Sequence, residues 1–401
     1  MNFIYLGSSR PSHVNKELLD MGSYVNFAGN TLQQALLEGF SKLVPHIKII
    51  SGWYVTTFPK VKQLLLKRRT FEDFGTTDYV YVGGLNLPVL NLITRYFRCR
   101  RELKRMLSEK DDNVVVIYEV HTPLLLAATS LRKRIKHINL IVPDMPQFMS
   151  GNQNKLYLMM KRIDAQIIKK CLAKVDSYSL LSEGMTELLP MEGKRWTLME
   201  GIFQNSFDGN SIEKEPYKTI MYAGGIHRRR GTDLLINAFK LIDAPNYRLW
   251  IRGDWDDSMK ADIIALSKID HRVQYFEPME RSELLKMEQR ATVMVNPTQP
   301  SLDFTKYFFP SKTMEYLASG TATVMFHLAC MPKEYDEYLY YVEEESAESL
   351  KNKLVEVCEM PAEKRLQLGQ KARQFILTQK TPEKQCGRIL EMIKQSIEDN
   401  E

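Results

Sequence analysis

Three residues on one helical turn carry the first chemical signal: Ser311, Lys312 and Glu315, set between Pro310 and Gly320. Proline tolerates the first turn of a helix because its missing N–H has no partner there anyway. Ser311 is the expected cap, and the free N–H groups beside it attract an anion. Lys312 adds a full positive charge at the same end. Gly320 stops the helix, and the β-branched and apolar residues 321–325 read as a strand. A phosphate site with a carboxylate one turn further along can hold a diphosphate and a sugar hydroxyl together. The same pattern also suits an ordinary capped helix, turn and strand.

A second candidate lies at residues 223–231. Gly224 and Gly225 let backbone approach a ligand closely, and Arg228, Arg229 and Arg230 bring charge to a helix start. This is not the G-x-G-x-x-G pattern of dinucleotide oxidoreductases. Its position, the first strand-to-helix loop of a new domain, favours ligand contact. His121 and Asp144 each follow an apolar strand, where side chains reach a ligand. Asp144 equally suits a turn cap. Asp254-Trp-Asp256-Asp257 has the form of a metal triplet but is read as loop and cap. The metalloprotease, nucleophile-elbow and P-loop patterns are absent.

These residues need a scaffold of alternating strands and helices. Apolar runs at residues 3–6, 47–50, 79–82, 113–118, 138–142, 177–181 and 199–202 read as strands. Between them come a small-residue loop with an amphipathic helix at residues 25–40, a basic and aromatic helix at 88–107, and helices at 124–134, from 182, and at 157–173. The pattern restarts at residue 219, with strands at 247–251, 273–276 and 292–296. Two tail helices break at Thr381-Pro382. The expected fold class is α/β, two Rossmann-like doubly wound domains facing a cleft. The expected domains are residues 1–205 and 206–375, with residues 376–401 a C-terminal helix; the family resemblance given below implies that the first binds the acceptor, that the second binds a nucleotide sugar, and that the last helix crosses back to the first domain.

Length fits two cores, since single cores stop growing near ~250–300 residues. The net charge of +6 hides an asymmetry. Residues 1–205 carry 28 Lys and Arg against 18 Asp and Glu, whereas the remainder carries 27 against 31. The basic half, with Arg95, Arg98, Arg100, Arg101, Lys104 and Arg105 on one helix, is a candidate for an anionic membrane surface. No nucleic-acid motif accompanies it, so a nucleic-acid partner is not expected. Five scattered cysteines without C-x-x-C spacing fit a reducing cytoplasm. The first ten residues lack the form of a signal peptide, and no apolar run is long enough to span a bilayer.

The chain resembles the GT-B glycosyltransferases, specifically family-4-like retaining enzymes of the bacterial surface-polysaccharide type. The similarity is strongest over residues 221–324. Residues 309–320 are similar to the family's donor-binding segment, and residues 222–226 with Arg230-Gly231 to its phosphate loop. Residues 143–146, 199–201 and 380–385 also resemble segments of that type.

The resemblance implies that Glu315 contacts the nucleotide ribose, and that Ser311 and Lys312 lie at the diphosphate. Arg230 then stands at the phosphate-binding lysine position. Ala28, Gly29 and Asn30 match a small-residue loop that approaches the donor phosphates, and His121 a strand-end histidine near the transferred sugar. Two positions depart from the pattern. Tyr307 replaces the first glutamate of E-x7-E, where Asp303 or backbone would substitute. Gly225 replaces an arginine, shifting weight to Arg229 and Arg230.

The implied activity is transfer of a sugar, with retention, from a nucleotide diphosphate sugar, uridine-linked by expectation, to a saccharide or lipid-linked saccharide. No metal or other cofactor is expected, the sugar nucleotide being a substrate. Arg229 and Lys312 would stabilise the leaving group, and His121 would position the sugar. The enzyme would work in the cytoplasm, at the inner membrane face. A non-catalytic partner subunit and a nucleotide-sugar epimerase or hydrolase on the same fold are the alternatives.

Overall fold

The computed structural model describes all residues except 146–154, 206, 208–211, 254–256, 278 and 400, and the side chains of residues 155, 156, 257 and 258. Residue contacts divide it into two compact units, Met1–Ile202 with Pro382–Glu401, and Phe203–Thr381.

The first unit begins with β1 (Asn2–Gly7), α1 (Ser12–Asp20), α2 (Phe27–Leu43) and β2 (Ile47–Ser51). A small antiparallel region follows: β3 (Leu65–Leu66), β4 (Arg69–Asp73), β5 (Thr76–Tyr81) and β6 (Gly84–Leu85). Then come α3 (Leu90–Met106), β7 (Asn113–Tyr118), α4 (Thr122–Thr129), β8 (His137–Val142), α5 (Lys155–Leu172), β9 (Ser177–Leu180) and β10 (Arg195–Leu198). The main sheet runs β10-β9-β8-β7-β1-β2-β5-β4, parallel except for the edge pair β4–β5. Strands β1, β7 and β8 are buried along their whole length. Helices cover both faces of such a sheet, which is why these strands are continuous apolar runs with no alternation.

The second unit holds β11 (Lys218–Ala223), α6 (Thr232–Lys240), β12 (Tyr247–Arg252), α7 (Asp257–Ile269), β13 (Val273–Phe276), α8 (Arg281–Arg290) and β14 (Val293–Asn296). It continues with α9 (Ser311–Ser319), β15 (Ala322–Phe326), β16 (Tyr340–Val342), α10 (Ala347–Glu359) and α11 (Ala362–Gln379). Its sheet, β13-β12-β11-β14-β15-β16, is parallel throughout. Gly320 ends α9 in the left-handed region at φ 77°. A Cβ on Gly369 of α11 would lie 1.9 Å from the Gly320 carbonyl oxygen, so this pair of glycines lets α11 close on the end of α9.

The last helix, α12 (Pro382–Glu398), belongs to the first unit. The division falls at residue 381, six residues beyond the expected 375, because α11 packs on α9 and β15 of the second unit. Ile389 and Ile393 of α12 join Leu36, Leu37 and Phe40 of α2 in one apolar cluster. Gln385 Nε2 donates to the Gly201 carbonyl at 2.7 Å.

Several local expectations are corrected. Residues 28–30 are not a loop: α2 already starts at Phe27, because the Asn26 side chain accepts from Gly29 N and caps it. Residues 199–202 are not a strand; the edge strand is β10, and the chain leaves the sheet at Met199. Residues 183–188 form a 3-10 turn with no regular helix. Residues 130–134 leave the helix predicted there, α4 giving way to a 3-10 turn at Arg132–Arg134.

Gly39 is the contact point of α2 with α12. An added Cβ would lie 2.4 Å from the Pro382 carbonyl and 2.6 Å from Cys386 Sγ. Gly39→Leu is expected to destabilise the first unit by about 1–3 kcal/mol, the usual cost of overpacking. Urea denaturation reads the loss, and limited proteolysis near residue 381 reads the loosened helix.

Candidate functional site

The second unit gathers most of the charged candidates at the carboxyl ends of its strands. Beyond β11, Gly224 N donates to the Arg252 carbonyl at 3.0 Å, and the Tyr222 hydroxyl donates to the Gly225 carbonyl at 2.7 Å. The loop turns through a 3-10 segment at Arg228–Arg230 and enters α6 at Gly231, φ 73°. Only glycine fits there: a Cβ would lie 1.9 Å from the Pro297 carbonyl oxygen. His227 Nδ1 accepts from Arg229 N at 3.0 Å and tightens the turn.

The arginines do not simply wave in solvent. The Arg229 guanidinium lies 4.7 Å from the Phe304 ring centre, and Arg230 lies 5.1 Å from that of Phe308. Cation–π contact of this kind holds a guanidinium in place while leaving its N–H donors free. Phe304 lies within the short 3-10 turn Asp303–Tyr307, and Phe308 follows it directly. That turn therefore carries the exposed Asp303 and the half-buried Tyr307 to the same place, just ahead of α9. Sequence reasoning missed both phenylalanines, since aromatic residues in a loop read as core.

At the start of α9, Pro310 occupies the cap position and Ser311 is the first helical residue, with no side-chain cap bond. Ser311 does not cap the helix as expected; Ser311 N and Thr313 N donate to the Phe309 and Pro310 carbonyls at 2.9 and 2.8 Å, and the positive end of the helix still favours an anion. Lys312 Nζ donates to Glu315 Oε1 at 2.5 Å, and Arg281 of α8 stands 3.8 Å from Glu315 Oε2. Burial works to raise the Glu315 carboxyl, but the adjacent Lys312 and then Arg281 outweigh it and hold the group below its ordinary range. Asn296 Nδ2, at the end of β14, donates to Thr313 Oγ1 at 3.2 Å and pins the helix laterally.

One side chain joins the two halves of this site. The buried Tyr316 hydroxyl donates to the Ala223 carbonyl at 2.9 Å and accepts from Ala223 N at 3.0 Å. Ala223 is the last residue of β11, directly before the glycine–arginine loop.

In the first unit, His121 lies three residues past β7 and takes the N-cap position of α4. Its Nε2 pairs with the Tyr54 hydroxyl, and the two rings lie 4.8 Å apart. Desolvation and then the nearby Arg95 charge hold His121 well below its usual pKa, so the imidazole is neutral. Arg95 is buried, sits 4.3 Å over the Tyr54 ring, and leaves Nη1 without a partner among the described residues. Glu119 lies two residues before His121 in a left-handed conformation at φ 78°. Burial and then the Asp144 charge push its carboxyl up to about 7. Asp144 itself is exposed, two residues past β8. The strained backbone and the half-engaged guanidinium, whose Nη2 donates to the Trp53 carbonyl at 3.5 Å, were not visible in sequence, although the run of residues 118–121 at a strand end marked the place.

Gly29 and Asn30 serve a different purpose from the one expected. Asn30 is buried, accepting from Arg10 N at 2.9 Å and donating to Arg10 O at 3.1 Å. Its side chain shapes the loop after β1 and is fully engaged. Asp254 and Asp256 lie outside the described residues, as does Pro146.

Tyr316→Phe removes the hydroxyl and strands the Ala223 N–H in the core. The expected loss is about 1–3 kcal/mol, the penalty for an unsatisfied buried donor. Urea denaturation at neutral pH measures it, and a change under about 0.5 kcal/mol would remove the link from this account.

The family described as glycosyl transferases group 1 matches residues 204–375. No curated protein matches the sequence. Among solved structures, sucrose-phosphate synthase from Thermosynechococcus elongatus is 13% identical, covers 100% of both chains and has a TM-score of 0.66. An Anabaena protein solved in complex with UDP is 12% identical over 98% of this chain and 100% of its own, TM-score 0.62. The catalytic domain of starch synthase IV from Arabidopsis thaliana, bound to ADP and acarbose, is 6% identical over 99% of each, TM-score 0.63. The second unit thus carries the match to the group 1 glycosyltransferases, and the chain is similar in fold to GT-B structures of two Rossmann-like sheets.

Proposed function

We propose that the chain transfers a sugar from a nucleotide diphosphate sugar to an acceptor hydroxyl, with retention and without a metal. The observation that carries this reading is the convergence of Arg229, Arg230 and Lys312 on the uncapped start of α9, beside the carboxylate of Glu315. A diphosphate brings two to three negative charges, and these cations with the helix N-terminus are what it needs. The bond from the anomeric carbon to the diphosphate oxygen breaks, and the acceptor oxygen takes its place. The acceptor proton passes to the leaving phosphate. Cations already aimed at that phosphate stabilise the charge as it develops.

The donor's ribose would meet Glu315. The uridine base is favoured by the likeness to the Anabaena protein solved with UDP; the starch synthase solved with ADP marks adenine as the rival. Retention rests on the resemblance of residues 309–320 to donor segments of retaining enzymes. In the first unit, neutral His121 is the candidate for contact with sugar hydroxyls.

The acceptor in this reading is a saccharide, lipid-linked at the cytoplasmic membrane face. Helix α3 supports it. Leu90, Ile93 and Phe97 are exposed along one stripe, which continues into exposed Arg101 and Lys104. The other basic residues of that helix are partly engaged: Arg98 donates to the Val82 carbonyl and Arg100 to Ser130 Oγ. Apolar residues followed by cations on one face suit an anionic bilayer. Among the described residues no helix is long and apolar enough to cross one.

Lys312→Ala should lower release of nucleotide diphosphate about 100-fold or more, as loss of one preorganised donor does. The melting temperature should hold, since Lys312 is 39% exposed. Near-wild-type turnover in a variant that melts normally would overturn the reading. For the membrane, Ile93→Ser with Phe97→Ser should weaken sedimentation with phosphatidylserine-containing vesicles by at least about tenfold, which at ~0.8 kcal/mol per buried CH2 takes the loss of only about two such groups. Equal sedimentation of variant and wild type removes that surface.

A further inference from the structure

Glu288 of α8 has no exposed surface, and neither of its carboxyl oxygens has a hydrogen-bond donor among the described residues. The group that faces it is the Glu315 carboxyl of α9. Two acceptors meet here with nothing between them to donate. A stripped carboxylate in such a place is far costlier than a neutral carboxyl.

We propose that Glu288 is a positioning residue for the donor site: its protonated carboxyl donates to Glu315 and fixes the orientation in which Glu315 meets the two ribose hydroxyls of a nucleotide. The inference rests on the donor reading above. It adds a residue that touches no ligand and a proton that must be present.

The surroundings are consistent with one shared proton. Burial and then the negative charge of Glu315 hold Glu288 well above the carboxylate range. Lys312 and Arg281 stand by Glu315 and keep the charge on that partner. Tyr316 also faces the pair, but its hydroxyl is committed to Ala223. Thr321 Oγ1 donates only to the main-chain carbonyl of Glu288, at 2.7 Å. A leucine or methionine would fill this core position at lower cost, which argues that the carboxyl serves the neighbouring site.

The sign of the pH effect follows. Glu288 is protonated in the folded chain and ionised in the unfolded chain at neutral pH. The native state therefore binds the extra proton, and stability falls as pH rises above the ordinary carboxylate range.

The experiment compares wild type with Glu288→Gln, Glu288→Leu and Glu288→Met. Calorimetry measures UDP and 2′-deoxy-UDP binding, and melting is followed from about pH 5 to about pH 8. Glu288→Gln keeps a donor and should bind UDP within about twofold of wild type, while showing a shallower decline of melting temperature with pH, the part due to Glu119 remaining. Glu288→Leu and Glu288→Met should weaken UDP about tenfold and shrink the preference for UDP over 2′-deoxy-UDP, as loss of a charge-assisted hydrogen bond requires. If Leu and Met variants that fold keep both affinity and preference, the positioning role is overturned. An identical pH profile for Glu288→Gln and wild type overturns the shared proton. A wild type that binds none of UDP, ADP and GDP overturns the donor reading and the positioning role with it, and leaves the melting profile to judge the proton.

Discussion

The second unit depends on a single hydroxyl in its core. Tyr316 meets both polar groups of the Ala223 peptide from α9 and so fixes how that helix lies against the end of β11. A parallel strand ends abruptly, and its last backbone groups need partners once the ladder stops. Here the partner is a side chain of the helix that begins the candidate phosphate site. The glycine–arginine loop and the start of α9 are therefore placed by the same contact. Two close approaches complete the arrangement: Gly231 under the Pro297 carbonyl, and Gly253 under that of Gly224. At each, a side chain would push apart the strand ends on which the loops stand.

That rigidity allows charges of like sign to gather. Arg229 and Arg230 would repel Lys312 and each other if free, yet phenylalanine faces hold the two guanidinium groups and α9 holds the lysine. Their mutual repulsion is a cost that a diphosphate would relieve on binding. Lys312 meanwhile rests on Glu315, so ligand binding exchanges one ion pair for another and exposes no bare charge. Exposed arginines alone would be weak evidence. Arginines stacked on aromatic rings, beside an uncapped helix start, are oriented before any ligand arrives.

Much of this was legible in the residues, because parallel sheets write simple patterns. Continuous apolar runs such as Asn113–Tyr118 marked the buried strands, and Gly320 marked the end of α9. The GT-B resemblance read from residues 221–324 agrees with the family match and the fold comparisons. What stayed hidden depends on tertiary context. Asn26 looked like part of a small-residue loop, but its cap bond to Gly29 moves the helix start forward and turns Asn30 inward. Glu288 sits in a stretch of mixed polarity that reads as a surface helix; only the packing of α8 on α9 shows it sealed. The antiparallel strand β4 escaped notice because Arg69, Glu72 and Asp73 make it polar, as edge strands are.

Among the described residues two carboxyl groups are pushed up, and the contrast between them bears on function. Glu288 is closed off from water, so its proton has no route to a substrate and can only orient a neighbour. Glu119 is half-buried at a strand end and held at φ 78°, a conformation costing a non-glycine residue about 1–3 kcal/mol. Its carboxyl titrates near neutrality, with a neutral histidine two residues on and the unpartnered Nη1 of Arg95 close enough to pull its pKa back down. Strain of that size survives only where the surroundings enforce it. A carboxyl near pH 7 with a spare guanidinium donor is suited to pairs of sugar hydroxyls, each of which both donates and accepts. The first unit thus has its own polar constellation at the ends of its strands, independent of the cations of the second. As pH rises through about 7 the Glu119 carboxyl loses its proton and passes from a neutral donor to a carboxylate acceptor.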